Sequence, residues 1–114
     1  MTKIEKPMTE NQKINGNKLY KFMMAHDGFV TKPQMFVALG WDTSKDRQLR
    51  DLISMIAKKV PVISTSDNRG YKIAKSKDDL ELVTHSWAEI DSRIEELSKR
   101  REPLIKFYDK FRNK

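Results

Sequence analysis

The chain has 114 residues, 38% of them hydrophobic and 34% charged, with a formal net charge of +7 and no cysteine. This is enough apolar material for one modest core, and it excludes a wholly disordered chain, a disulfide framework, a thiolate zinc site and a thiol nucleophile. No run approaches the roughly 18 apolar residues of a membrane span, and the N-terminus lacks a secretory signal's apolar block, so a cytoplasmic protein is expected. The basic excess favours a polyanionic partner, of which nucleic acid is the commonest. It is also localised: residues 32–77 carry ten basic and four acidic groups, a net of +6, against +2 for residues 1–31 and −1 for residues 78–114.

Residues 1–13, MTKIEKPMTENQK, are polar without a sustained period and read as a flexible N-terminal arm. The next unit spans residues 14–77. Asn17 is the expected cap of a first helix that places Leu19, Phe22, Met23 and His26 on one face and stops at Asp27-Gly28. Phe29-Val30 is a short extended link. Thr31 caps a second helix, with Pro33 in its first turn, Met35, Phe36 and Leu39 as its apolar stripe and Gly40 as its stop. Trp41-Asp42-Thr43 makes a turn. Ser44 is expected to open a third helix, ended by Pro61, in which Leu49, Leu52, Ile53, Ile56 and Val60 follow the helical period. The period then switches to that of strands in Val62–Thr65 and Tyr71–Ala74. Ser66-Asp67-Asn68-Arg69-Gly70 between them is turn chemistry, which makes the pair a β-hairpin.

The Leu39-Gly40-Trp41 turn, the run Asp46-Arg47-Gln48-Leu49-Arg50-Asp51-Leu52-Ile53, Val60-Pro61-Val62-Ile63 and Arg69-Gly70-Tyr71-Lys72-Ile73 stand in an order that resembles the winged helix-turn-helix superfamily, as in small bacterial and phage DNA-binding proteins. The resemblance covers about 60 residues. It implies a mostly α fold with a small β-hairpin (α+β), a third helix that enters the major groove, and a hairpin tip that meets the backbone or minor groove.

The residues can be read beside that resemblance. At about 100° per residue, the apolar positions of the third helix share one face, while Arg47, Asp51, Ser54 and Lys58 occupy the other with Arg50 on its flank. Arginine pairs bidentately with guanine, and serine or lysine reaches bases or phosphates. A charged outer face is equally what a solvated helix shows, and Asp46 and Asp51 repel phosphate unless they orient an arginine or accept from cytosine. Arg69 at the hairpin tip, with Lys72, Lys75 and Lys77 behind it, shifts the balance toward nucleic acid. The candidate DNA-binding residues are therefore Lys45, Arg47, Gln48, Arg50, Ser54, Lys58, Arg69, Lys72 and Lys75. Trp41 and Tyr71 are expected in the core rather than stacked on bases.

Residues 78–114 form a third unit. Leu80, Val83, Trp87, Ile90, Ile94, Leu97, Arg101, Leu104, Tyr108 and Phe111 recur three and four residues apart, a coiled-coil seam. Ser76 with Asp78 and Asp79 suits a helix start, and Pro103 is expected to kink or break the helix. Residues 78–96 carry seven acidic groups and one basic, whereas residues 97–114 carry seven basic and two acidic. The expectation is a homodimer through Trp87, Ile90, Ile94, Leu97, Leu104, Tyr108 and Phe111, with antiparallel pairing favoured. Alternatively, Leu80 to Trp87 pack back on their own domain.

His26 and His85 are far apart in sequence, the four glycines make no phosphate loop, and no catalytic constellation is visible, so neither an enzyme nor a cofactor or metal is expected. The leading expectation is a duplex DNA-binding protein, a small transcriptional regulator or a replication-origin binder, in a bacterial cell or phage-infected host. The alternative is a winged-helix interaction module that docks a host or replisome protein.

Overall fold

The computed structural model describes residues 8–64 and 69–112. Residues 1–7 of the expected arm, and Thr65 to Asn68 of the expected strand end and turn, lie outside the described residues. The rest is mostly helical, with a two-stranded antiparallel hairpin and a long C-terminal helix. Among the described residues no helix is long and apolar enough to cross a membrane.

Helix α1 spans Glu10–Ala25 and begins well before the expected Asn17 cap. The cap is Thr9, whose hydroxyl accepts from the Gln12 amide while the Gln12 side chain accepts from the Thr9 amide. This reciprocal box satisfies two donors that would otherwise lack partners, so residues 10–13 are helical rather than part of an arm. Leu19 and Met23 are the buried residues of α1, and the Phe22 and His26 rings lie 5.7 Å apart at its end.

Helix α2, Lys32–Leu39, carries the expected Thr31 cap, completed by Gln34, and ends at Gly40 in the left-handed conformation (φ 68°). Three residues, Thr43–Lys45, then make a 3-10 turn whose cap is Asp42 and not Ser44. Its carboxylate accepts the Ser44 amide at 2.6 Å. Helix α3 follows as Asp46–Ala57 and buries Leu49, Leu52, Ile53 and Ile56. It stops before Pro61 in a turn where the Lys59 and Val60 amides share the Ile56 carbonyl at 3.0 Å, which leaves Val60 beyond the helix but packed against the core.

Strands β1 (Val62–Ser64) and β2 (Tyr71–Ile73) pair with Ile63 opposite Lys72. The Phe29-Val30 link contributes an antiparallel bridge from Val30 to Tyr71, through bonds of 2.7 and 2.9 Å, so the hairpin is tied to the segment between α1 and α2. One cluster then forms from all three helices with Val30 and Ile73, and Trp41 and Tyr71 pack on it as expected.

Helix α4, Leu80–Arg112, is 33 residues long and continues from a 3-10 turn, Lys77–Asp79, capped by Ser76. Of the kink or break expected at Pro103, the break is absent: the helix runs through it. Proline removes one backbone donor, and the residues on either side of Pro103 are exposed, so solvent can satisfy the carbonyl left without a partner. Among the described residues, the start of α4 is the part that meets the rest of the chain. There Leu82 and Val83 are half-buried, and the buried Ser86 hydroxyl accepts from the Ser64 amide (3.3 Å) and donates to the Ser64 carbonyl (3.2 Å). That bond pair covers the open edge of β1. Leu80 and Trp87, expected in this packing under the intramolecular alternative, are exposed instead. The remainder of α4 projects, and the molecule measures 58 × 34 × 23 Å.

Candidate nucleic-acid interface

The outer face of α3 is built by what its inner face buries. With Leu49, Leu52, Ile53 and Ile56 turned into the core, Arg47, Gln48, Arg50, Asp51, Ser54 and Lys58 are all exposed. Asp46, at the first turn of α3, is the organising anion. It accepts from Arg50 Nε at 3.0 Å and from Lys32 Nζ at 3.2 Å, so one carboxylate links the start of α2 to the exposed face of α3. Asp46 therefore orients an arginine, one of the two roles in which an acidic residue is compatible with this face. Sequence reasoning did not include Lys32, because its pairing spans 14 residues and depends on the α2–α3 corner.

The other expected residues are distributed differently. Lys45 lies in the 3-10 turn with its ammonium 5.3 Å from the Trp41 ring centroid. Arg69 is exposed, with its guanidinium 4.9 Å from the Phe29 ring centroid, which anchors the β2 end of the hairpin loop to the α1–α2 link. Lys72 and Lys75 point into the structure's own acceptors. Lys72 Nζ meets Asp79 Oδ1 at 2.8 Å with its side chain 21% exposed, and Lys75 Nζ donates to the His26 carbonyl at 2.7 Å. The interface residues brought together are thus those of α3 with Lys32, while Lys72 and Lys75 serve to hold β2 against α1 and α4.

Asp79 was missed as anything more than a helix-start residue. It is 5% exposed, and its second oxygen accepts the Lys75 amide at 2.9 Å. The Lys72 hydrogen bond is the largest of the influences that hold its carboxyl below the ordinary value of 3.8, followed by the Lys75 amide. A carboxyl depressed in the fold stabilises it fully above its ordinary range, and that contribution is lost as pH falls through the depressed value. Thermal unfolding followed from pH 7 downward is therefore expected to show Asp79→Asn less stable at neutral pH, with the gap to the native chain closing in acid. Parallel curves would show that the clamp is not ionic. A pattern signal existed in principle: Lys72 and Asp79 are seven residues apart across the hairpin-to-helix junction, but nothing in the local sequence folds that junction back on itself.

Between α1 and α3 lies an open groove of about 430 Å³, lined by Gln12, Lys13, Tyr20, Leu52, Met55 and Lys59 among others. It is mainly apolar and stands apart from the Asp46-centred array. No protein-family model, curated protein or solved structure matches the chain.

Proposed function

We propose that residues 9–77 form a winged helix-turn-helix unit that binds duplex DNA, with α3 as the helix presented to the major groove and the hairpin as the wing. The observation that carries this reading is the division of α3. Its apolar face is wholly taken up by the core, while Arg47, Gln48, Arg50 and Ser54 stand exposed beside Lys32 and Lys58. The tight Gly40 turn from α2 and the hairpin pinned to Val30 support the same reading, since both hold α3 at the surface as a rigid element. Binding is non-catalytic and needs no cofactor. Occupancy of a DNA site, at a regulated gene or a replication origin, is the role this reading assigns to the unit.

The chemistry is phosphate neutralisation for affinity and base-edge contact for discrimination. If four or five phosphates are neutralised, affinity falls roughly 150- to 500-fold between 50 and 200 mM salt. A mobility-shift titration with random duplex at those two salt concentrations checks this. Salt-sensitive binding is expected, and absence of any shift at the lower concentration overturns the reading. The exposed carboxylate of Asp51 on the same face favours a second reading, a module that docks an acidic-and-basic protein surface, and the absent shift would select it.

A further inference from the structure

Helix α4 carries an exposed apolar stripe far longer than a projecting helix needs. Trp87, Ile94, Leu97 and Leu104 are 63%, 57%, 57% and 70% exposed. Phe107, Tyr108 and Phe111 extend the stripe to the end of the helix. Covering it would remove on the order of 700 Å² per chain, close to the roughly 800 Å² per partner of a standard interface, whereas single apolar patches on monomers rarely exceed about 600 Å².

We infer that the occupant of this stripe is a second copy of the chain, with the two α4 helices antiparallel and residues i and j facing where their numbers sum to 191. This inference does not depend on nucleic-acid binding. Charge selects the orientation. Residues 78–96 hold seven acidic groups and one basic, and residues 97–114 hold seven basic and two acidic, so an antiparallel pair lays the acidic half of each helix along the basic half of the other. A parallel pair would instead stack Lys99, Arg100 and Arg101 on their own copies. It would also place Arg101, a seam residue, against Arg101 of the other chain inside the contact.

The seam selects the register. Centring the pair between Glu95 and Glu96 puts all ten heptad positions into layers: Ile94 faces Leu97, Ile90 faces Arg101, and Trp87 faces Leu104, with Val83–Tyr108 and Leu80–Phe111 outside them. Arg101 then packs its methylene stem on Ile90, with Glu89 and Asp91 adjacent in sequence to receive its charge. The same register explains why the apolar surface widens toward the C-terminus, where Ile105 and Phe107 flank the seam and are 47% and 67% exposed. In the pair, that wide end lies beside residues 84–86 of the other chain, where α4 leaves the globular body and a second surface, β1, is at hand.

Sedimentation of the full chain is expected to give the mass of two chains at roughly 100 µM. Joint replacement Ile94→Glu and Leu97→Glu, at exposed positions that leave the chain's own core intact, is expected to weaken association by at least about 100-fold. A monomer at that concentration, an assembly larger than two, or a variant that still dimerises overturns the proposal. Orientation is read by disulfide trapping in the cysteine-free chain. Trp87→Cys mixed with Leu104→Cys is expected to cross-link, while each alone does not, because like positions lie 17 residues, or about 25 Å, apart along the axis. Self-cross-linking of either variant alone would show parallel pairing and overturn the antiparallel assignment.

Discussion

Gly70→Ala is expected to lower the unfolding free energy by about 2–4 kcal/mol, read from the denaturant midpoint at constant slope. Two causes combine. Gly70 has φ 107°, a conformation that L side chains rarely adopt, and a Cβ at this position would be driven against the Val30 carbonyl oxygen, lying 2.9 Å from its carbon and 3.3 Å from Thr31 Cα. The obstacle is backbone, and that backbone is held by the Val30–Tyr71 bridge, so neither side can yield without losing hydrogen bonds of 2.7 and 2.9 Å. Gly28 is the control. It also has positive φ, 83°, but a Cβ there meets nothing within 4 Å, and its replacement should cost only about 1 kcal/mol. Equal losses at the two glycines would refute the close approach as the cause. Since the bridge ties the hairpin to the α1–α2 link, Gly70→Ala should also weaken DNA binding before it unfolds the helices.

Replacing Arg47 and Arg50 together by alanine is expected to weaken binding to a selected site by roughly 100-fold or more, from about 1–3 kcal/mol per base-contacting arginine, while binding to random duplex falls far less. The asymmetry is the informative part. Arg50 is held by Asp46, and an oriented guanidinium discriminates between bases better than a freely rotating one. Asp46→Asn should therefore reduce discrimination while slightly raising affinity for random duplex, because it removes a negative charge from the face proposed to meet phosphate. Arg69→Ala, beside the hairpin loop, should weaken both kinds of binding alike. Equal losses on specific and random duplex for the Arg47 and Arg50 variant would mean that α3 contacts only the backbone.

Much of this architecture was written locally. The helices of the core, the Thr31 cap, the Gly40 stop, the hairpin strands and the heptad helix all follow from residue periodicity and from turn chemistry within a few residues. Errors arose where two local signals competed. Asn17 is a good cap, but Thr9 with Gln12 offers a reciprocal pair, and the longer helix gains the additional hydrogen-bonded turns. Ser44 lost to Asp42 for a similar reason, since a carboxylate is the stronger acceptor for the turn amide. At Pro103, of the kink or break expected, the break does not occur, because one missing donor is a small loss in a helix that is exposed on all sides there.

The sequence by itself determined which face of each helix is apolar, where the charge is concentrated and where the chain changes from helical to extended period, because these are properties of neighbours three, four or two residues apart. Only the tertiary structure decided what each basic residue does. Lys72 and Lys75 look equivalent to Arg47 and Arg50 in the sequence, yet the first two close on Asp79 and His26 while the α3 pair remains at the surface. That sorting depends on contacts between residues 7 to 49 positions apart, created when β2 folds against α1 and the start of α4. Lys72 and Lys75 are thus spent on tying distant parts of the fold together, whereas the pairing of Arg50 with Asp46 lies within one helix turn and leaves its guanidinium at the surface.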